Sequence, residues 1–227
     1  MVRLRKSIYG GSLILILGIG MLLLWMERSF LILGFAVIFL VAAPFFFRFE
    51  KRQMKAEEIV LVASLSAMAA LGRIPVAAFP GVQPSSFMVI MTGVTMGPET
   101  GFIVGATTAI ISNLFLGQGP WTPWQMIAWG LMGFSAGLFR NRAWMKHRAG
   151  LAVFGVAWGF LFGWAMNLWL MLGFFDLSSS SIWYSVFASS FYFDLSHALT
   201  NAFLLWTFST GWVRILNRIV AKFGLLK

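Results

Sequence analysis

Residues 73–130 read RIPVAAFPGVQPSSFMVIMTGVTMGPETGFIVGATTAIISNLFLGQGPWTPWQMIAWG, two Pro/Gly-rich loops set among strongly apolar runs. Irregular backbone cannot face lipid, because its N–H and C=O groups would go unpaired. In a chain that is 59% hydrophobic and 11% charged, such loops belong at a membrane surface or over a cavity. The expectation is that they close over a ligand and that the remaining helices hold them there.

Working outward, the apolar runs approach the roughly 20 residues that cross a bilayer. They place eight candidate spans at 8–26, 30–47, 58–72, 83–96, 101–116, 123–139, 150–174 and 191–213. The chain is thus expected to be an all-α polytopic membrane protein. Basic residues near spans mark the cytoplasmic side. With the N-terminus inside, 15 of the 17 Lys and Arg fall in cytoplasmic segments, and Arg28 and Arg73 fall outside. The net charge of +10 therefore needs no nucleic-acid partner. Multi-pass residence in the cell membrane with both termini cytoplasmic is expected. Residues 1–47 read as a retained transmembrane hairpin rather than a cleaved signal, since no small-x-small cleavage site follows the first run. Residues 48–57 form a basic linker, and 58–227 form a six-span substrate-binding bundle.

Polar side chains within spans are costly and each is a candidate functional group. Arg73 ends a span, Gln83 and Gln125 begin spans, and Asn113 and Asn167 lie shortly before span ends, all on the outer side. Counting from a start near Phe191, Asp194 lies about 4–5 Å deep, His197 about 9 Å and Asn201 about 15 Å, at about 1.5 Å per residue. Steps of three and four place these three on one helix face. Phe79, Trp121 and Trp124 lie at the same level, the two tryptophans in a stiff Gly/Pro loop suited to a flat, ring-bearing ligand. Each residue also has a structural reading: Asp194 and His197 satisfying each other, Arg73 snorkelling to the interface, and the remaining aromatics, Trp129 among them, forming an interfacial belt. Small residues recur at spacing four in Ala63/Ala67, Gly101/Gly105/Ala109 and Gly155/Gly159/Gly163, where helices pack closely. At Gly97-Pro98-Glu99-Thr100-Gly101 a tight turn is expected, with Glu99 or Thr100 capping the next helix.

Catalytic signatures are missing. The chain has no Cys and two His, no HExxH metal motif and no GxxxxGK[ST] phosphate loop. His147 falls in a basic loop as a solvated residue. An enzyme, a resident metal and a cofactor are not expected.

Three pieces carry a family resemblance: Ala63-x-x-x-Ala67; Gly81-Val82-Gln83-Pro84 with the later Ser112-Asn113-Leu114-Phe115-x-Gly117-x-Gly119-Pro120-Trp121; and Phe193-Asp194-Leu195-x-His197-Ala198-x-x-Asn201. From about Lys55 onward the chain resembles an S-component, the substrate-binding membrane subunit of an energy-coupling factor (ECF) transporter. Within that family it is most similar to the cobalamin-specific branch. The resemblance implies a six-helix S-component-like bundle that captures a small-molecule vitamin from outside. It also implies docking through Ala63 and Ala67 on a transmembrane coupling subunit with two cytoplasmic ATPase subunits, and lids formed by the loops at about 74–82 and 117–123. The N-terminal hairpin departs from the usual six-span pattern. Two other classes stay open: a stand-alone secondary carrier using Asp194 and His197 as a proton relay, and a scaffold whose helix stripes only bind partners.

Overall fold

The computed structural model describes residues 55–175 and 178–224, with Leu40 as a single further position. The hairpin expected at 1–47, and nearly all of the linker, lie outside the described residues. From Ala56 onward the described chain is helical, without strands: α1 (Ala56–Arg73), α2 (Ser85–Met96), α3 (Pro98–Leu116), α4 (Thr122–Phe139), a 3₁₀ turn (Ala143–Lys146), α5 (Arg148–Phe174) and α6 (Ser180–Phe223).

Local chemistry explains most boundaries. Glu57 and Glu58 occupy the first turn of α1 and Arg73 the last, each charge on the side favoured by the helix dipole. Between α2 and α3, Gly97 takes φ 100°, a conformation open to glycine, and Pro98 follows in the first turn of α3, where its missing N–H costs nothing. Thr100 does not cap the helix, its buried Oγ1 having no hydrogen-bond partner; the N-cap position is Gly97, which has no side chain, and the glycine–proline pair sets the turn.

The last helix is the main correction. It spans 44 residues from Ser180, about 66 Å, instead of beginning near residue 191. The serine run at 178–181 looks like a loop in sequence, yet no proline and only Gly211 interrupt the chain from there to Phe223, so the helix continues. Asp194 is therefore about 21 Å from the helix start, and depths counted from Phe191 do not apply.

α2 runs through the middle of the bundle, with every residue from Ser85 to Gly93 buried, and packs on α1, α3, α4 and α6. The densest seams are α3 on α4 and α5 on α6. Among apolar helices in lipid, contact is driven by close van der Waals packing rather than by water exclusion, and the glycines show how it is achieved. Gly93, Gly101 and Gly133 meet backbone to backbone, so that a methyl group at any of them would collide with a carbonyl. Along α5, Gly155, Gly159 and Gly163 face Asn201, Ala198 and Asp194 of α6, a four-residue stripe matched turn by turn on an antiparallel neighbour. Buried hydroxyls of Ser66, Thr92 and Thr108 bond the carbonyl four residues earlier, which removes the cost of burying them. By length and composition α3 and α5 are apolar enough to cross a membrane, and α2 is a shorter apolar helix.

Candidate functional site

The end of the bundle where α1, α3 and α5 finish and α2 and α4 start collects the polar side chains. Arg73 Nη1 donates to Ser112 Oγ at 2.9 Å and to Asn113 Oδ1 at 2.8 Å. Asn113 Nδ2 then donates to Thr122 Oγ1 at 2.9 Å and Gln125 Oε1 at 2.8 Å. Thr122 Oγ1 donates to Gln118 Oε1 at 2.9 Å, and Gln118 Nε2 to the Ile110 carbonyl at 3.0 Å. The bonds form a directed chain from the cation at the end of α1, across the end of α3, into the 117–121 loop.

Trp129 joins this chain to a second group. The Arg73 guanidinium carbon lies 5.1 Å from the Trp129 ring centre, a cation–π distance, while the indole N–H donates to Ser86 Oγ at 2.9 Å. Ser86 Oγ lies 2.6 Å from His197 Nε2. Since the serine oxygen already accepts from Trp129, its own proton is free to go to His197, an assignment that places the imidazole proton on Nδ1. Phe162 closes the group, its ring centre 5.2 Å from that of His197 and 4.8 Å from that of Trp129.

A third group sits on the α5–α6 seam. Asn167 Nδ2 donates to Ser190 Oγ at 2.7 Å, and Ser190 donates to Asp194 Oδ2 at 3.1 Å. Asp194 and His197 thus bond to different partners and not to each other. Asn201, fully buried, donates to the Gly155 carbonyl at 3.0 Å and leaves its Oδ1 unpaired.

The expected residues therefore divide. Arg73, Asn113 and Gln125 are directly joined, with His197 connected to them through Ser86 and Trp129. Asn167 and Asp194 form a separate pair, and Asn201 bonds only backbone. Gln83 Oε1 is buried without a hydrogen-bond partner. Trp121 stands edge-on to Trp169 at 6.1 Å, and the Trp169 indole N–H is likewise buried and unpaired. Trp124 is half-buried. Phe79, on the 74–84 loop, is 63% exposed. That loop is seated on α6 by Gly81, at φ 78°, where a side chain would collide with the Phe193 carbonyl and Ser196. On α1, Ala63 is exposed and Ala67 half-buried.

Ser86, Thr122, Trp169 and Ser190 escaped the sequence reading. Single hydroxyls and indoles in apolar runs carry no periodic signal; the adjacent Ser85-Ser86 pair, in an otherwise apolar segment, was the available clue. Two cavities, of about 470 Å³ and 370 Å³, lie elsewhere. The first is at the opposite end of the bundle beside Thr95, Glu99 and Arg140; the second is between the end of α5 and the start of α6 beside Phe175, Ser181 and Ser185. Neither is lined by the expected site residues. Among the described residues no group of three or more His, Cys, Asp or Glu is placed to hold a metal.

With this geometry in view, comparison with known families is decisive. The family model described as "ECF transporter, substrate-specific component" matches residues 57–209, about two thirds of the chain. The chain belongs to the ECF transporter substrate-specific component family. That family is one of membrane transport subunits and not of enzymes. UPF0397 proteins of Aliivibrio fischeri and Aliivibrio salmonicida are each 29% identical to it over 91 residues, 38% of this chain and 49% of the relative. That of Vibrio atlanticus is 29% identical over 89 residues, 37% of this chain and 48% of the relative. The chain spans about half the length of these curated relatives. No solved structure matches this S-component.

Proposed function

We propose that this S-component is the substrate-binding subunit of an ATP-driven vitamin importer. It captures the vitamin at the outer membrane face and delivers it by docking on a transmembrane coupling subunit that carries two cytoplasmic ATPase subunits. The observation that carries the reading is the convergence of Arg73, Asn113, Gln125 and His197, from four helices, beneath the 74–84 and 117–121 loops. A merely structural polar pair does not need so many helices to contribute at one end. The buried, unpaired Gln83 oxygen and Trp169 N–H offer one acceptor and one donor to a guest. Most of the polar groups at this end are held by bonds to one another. On the α1 side, exposed Ile59, Ala63, Met68 and Leu71 leave a smooth face for the coupling subunit.

The motif run favours cobalamin as the first vitamin to assay. Equilibrium dialysis of purified protein against a panel of radiolabelled B-vitamins tests the proposal. Saturable binding of one of them below micromolar concentration is expected. Absence of saturable binding across the panel overturns it.

A further inference from the structure

Arg73 has more hydrogen-bonding capacity than the protein uses. A guanidinium presents five N–H donors in a planar fork. The bonds to Ser112 and Asn113 both leave from Nη1, exhausting the two hydrogens of that atom. Trp129 covers one face of the plane. No hydrogen bond joins Nε or Nη2 to the described residues, and none of their carboxylates pairs with the cation. The unused edge, Nε with Nη2, is the one that receives a carboxylate or phosphate side-on through two parallel bonds.

The groups behind Arg73 do not neutralise it. The Ser112 hydroxyl and the Asn113 carbonyl are neutral acceptors, and the Asn113 amide passes its own hydrogens onward to Thr122 and Gln125. The hydrogen-bond chain fixes the orientation of the guanidinium while leaving a full positive charge half-buried at the end of the bundle. Cations withdrawn from water are normally matched by an anion. Interfacial snorkelling alone accounts for the position of such a residue, but not for three neutral or aromatic partners that lock one edge and one face while the other edge stays open.

We propose that the ligand of this S-component carries an anionic group, a carboxylate or a phosphate, received side-on by Nε and Nη2 of Arg73. This rests on the reading of the same end of the bundle as the ligand site, and it narrows the chemistry: of each vitamin, the anionic form is the substrate.

The test uses the purified full chain in dodecyl maltoside and matched pairs in equilibrium dialysis. The pairs are pantothenate with pantothenol, nicotinate with nicotinamide, thiamine monophosphate with thiamine, and riboflavin 5′-phosphate with riboflavin. The expected result is that the pair that binds does so through its anionic member, with the neutral or dephosphorylated counterpart at least about tenfold weaker, as befits loss of a charge-assisted bidentate bond. Arg73→Gln abolishes that preference, and Arg73→Lys restores part of it. The wild-type comparison requires no variant to fold. Equal affinity for both members, or a preference that survives in Arg73→Gln, overturns the proposal. Native mass spectrometry separates the other source of such an anion: a phospholipid that co-purifies with the unmodified chain and is lost from Arg73→Gln assigns the edge to a lipid headgroup and also overturns it. No binding by any member overturns the underlying site reading, and this proposal with it.

Discussion

Ser86 shows how much one small side chain carries. Its oxygen accepts from the Trp129 indole and contacts His197 Nε2, both rings being buried, so Ser86→Ala leaves two buried polar atoms unsatisfied. The expected loss is about 1–3 kcal/mol, read as a lowered midpoint of thermal unfolding in detergent; an unchanged midpoint means that the three groups are not coupled as drawn. Asn113 plays the matching part on the other side, using both the oxygen and the nitrogen of its side-chain amide to tie three helices. Residues of this kind divide sharply in how well sequence reveals them. Arg73, Asn113, Gln125 and His197 stand out because charged, amide and imidazole groups are rare in apolar runs. Ser86 and Ser190 do not, since a serine can always bond its own helix, as Ser66 does, and only the fold decides whether it reaches across.

At the level of helices, the glycines of α2, α3 and α4 set the distance of closest approach. Gly101→Val pushes a side chain into the Gly133 carbonyl and is expected to cost about 1–3 kcal/mol or more through overpacking. Gly211→Ala in α6, where an added methyl meets open space, is expected to gain up to about 1 kcal/mol from helix propensity alone. Unfolding curves of the two variants should move in opposite directions; a common direction refutes the packing account. Five of the six helices are recognisable in the apolar runs, because their ends are written in Gly97, Pro98, Gly117 and the basic loop near residue 140. The sixth is not, because its extra turns begin in a serine run whose composition says loop while nothing in it prevents a helix. Its partner seam was foreshadowed only on one side: the Gly155/Gly159/Gly163 stripe is visible in sequence, whereas its match to Asn201, Ala198 and Asp194 depends on the antiparallel register.

For the whole molecule, the open face of α1 and the polar end of the bundle make separable demands. Ala63→Trp places a bulky ring on an exposed position remote from Arg73, so ligand affinity is expected to stay the same while uptake in cells falls severalfold or more through blocked helix approach. Paired binding and transport assays check this, and normal uptake removes the docking assignment. The distribution of basic residues gave the topology its expected sense, and the directions of the helices bring Arg73, Asn113 and Gln125 to one end; the loops at about 74–82 and 117–123 were legible as lids, whereas the seating of Gly81 on α6 is a long-range contact with no local signature. Trp129 gives the closed arrangement a practical consequence. Its indole is completely enclosed, with the guanidinium on its face and Ser86 at its nitrogen, so an anion arriving at the guanidinium alters the electric field across the fluorophore. The emission difference between the native chain and Trp129→Phe is thereby a built-in optical gauge of occupancy, legible without labelling either the solute or the protein.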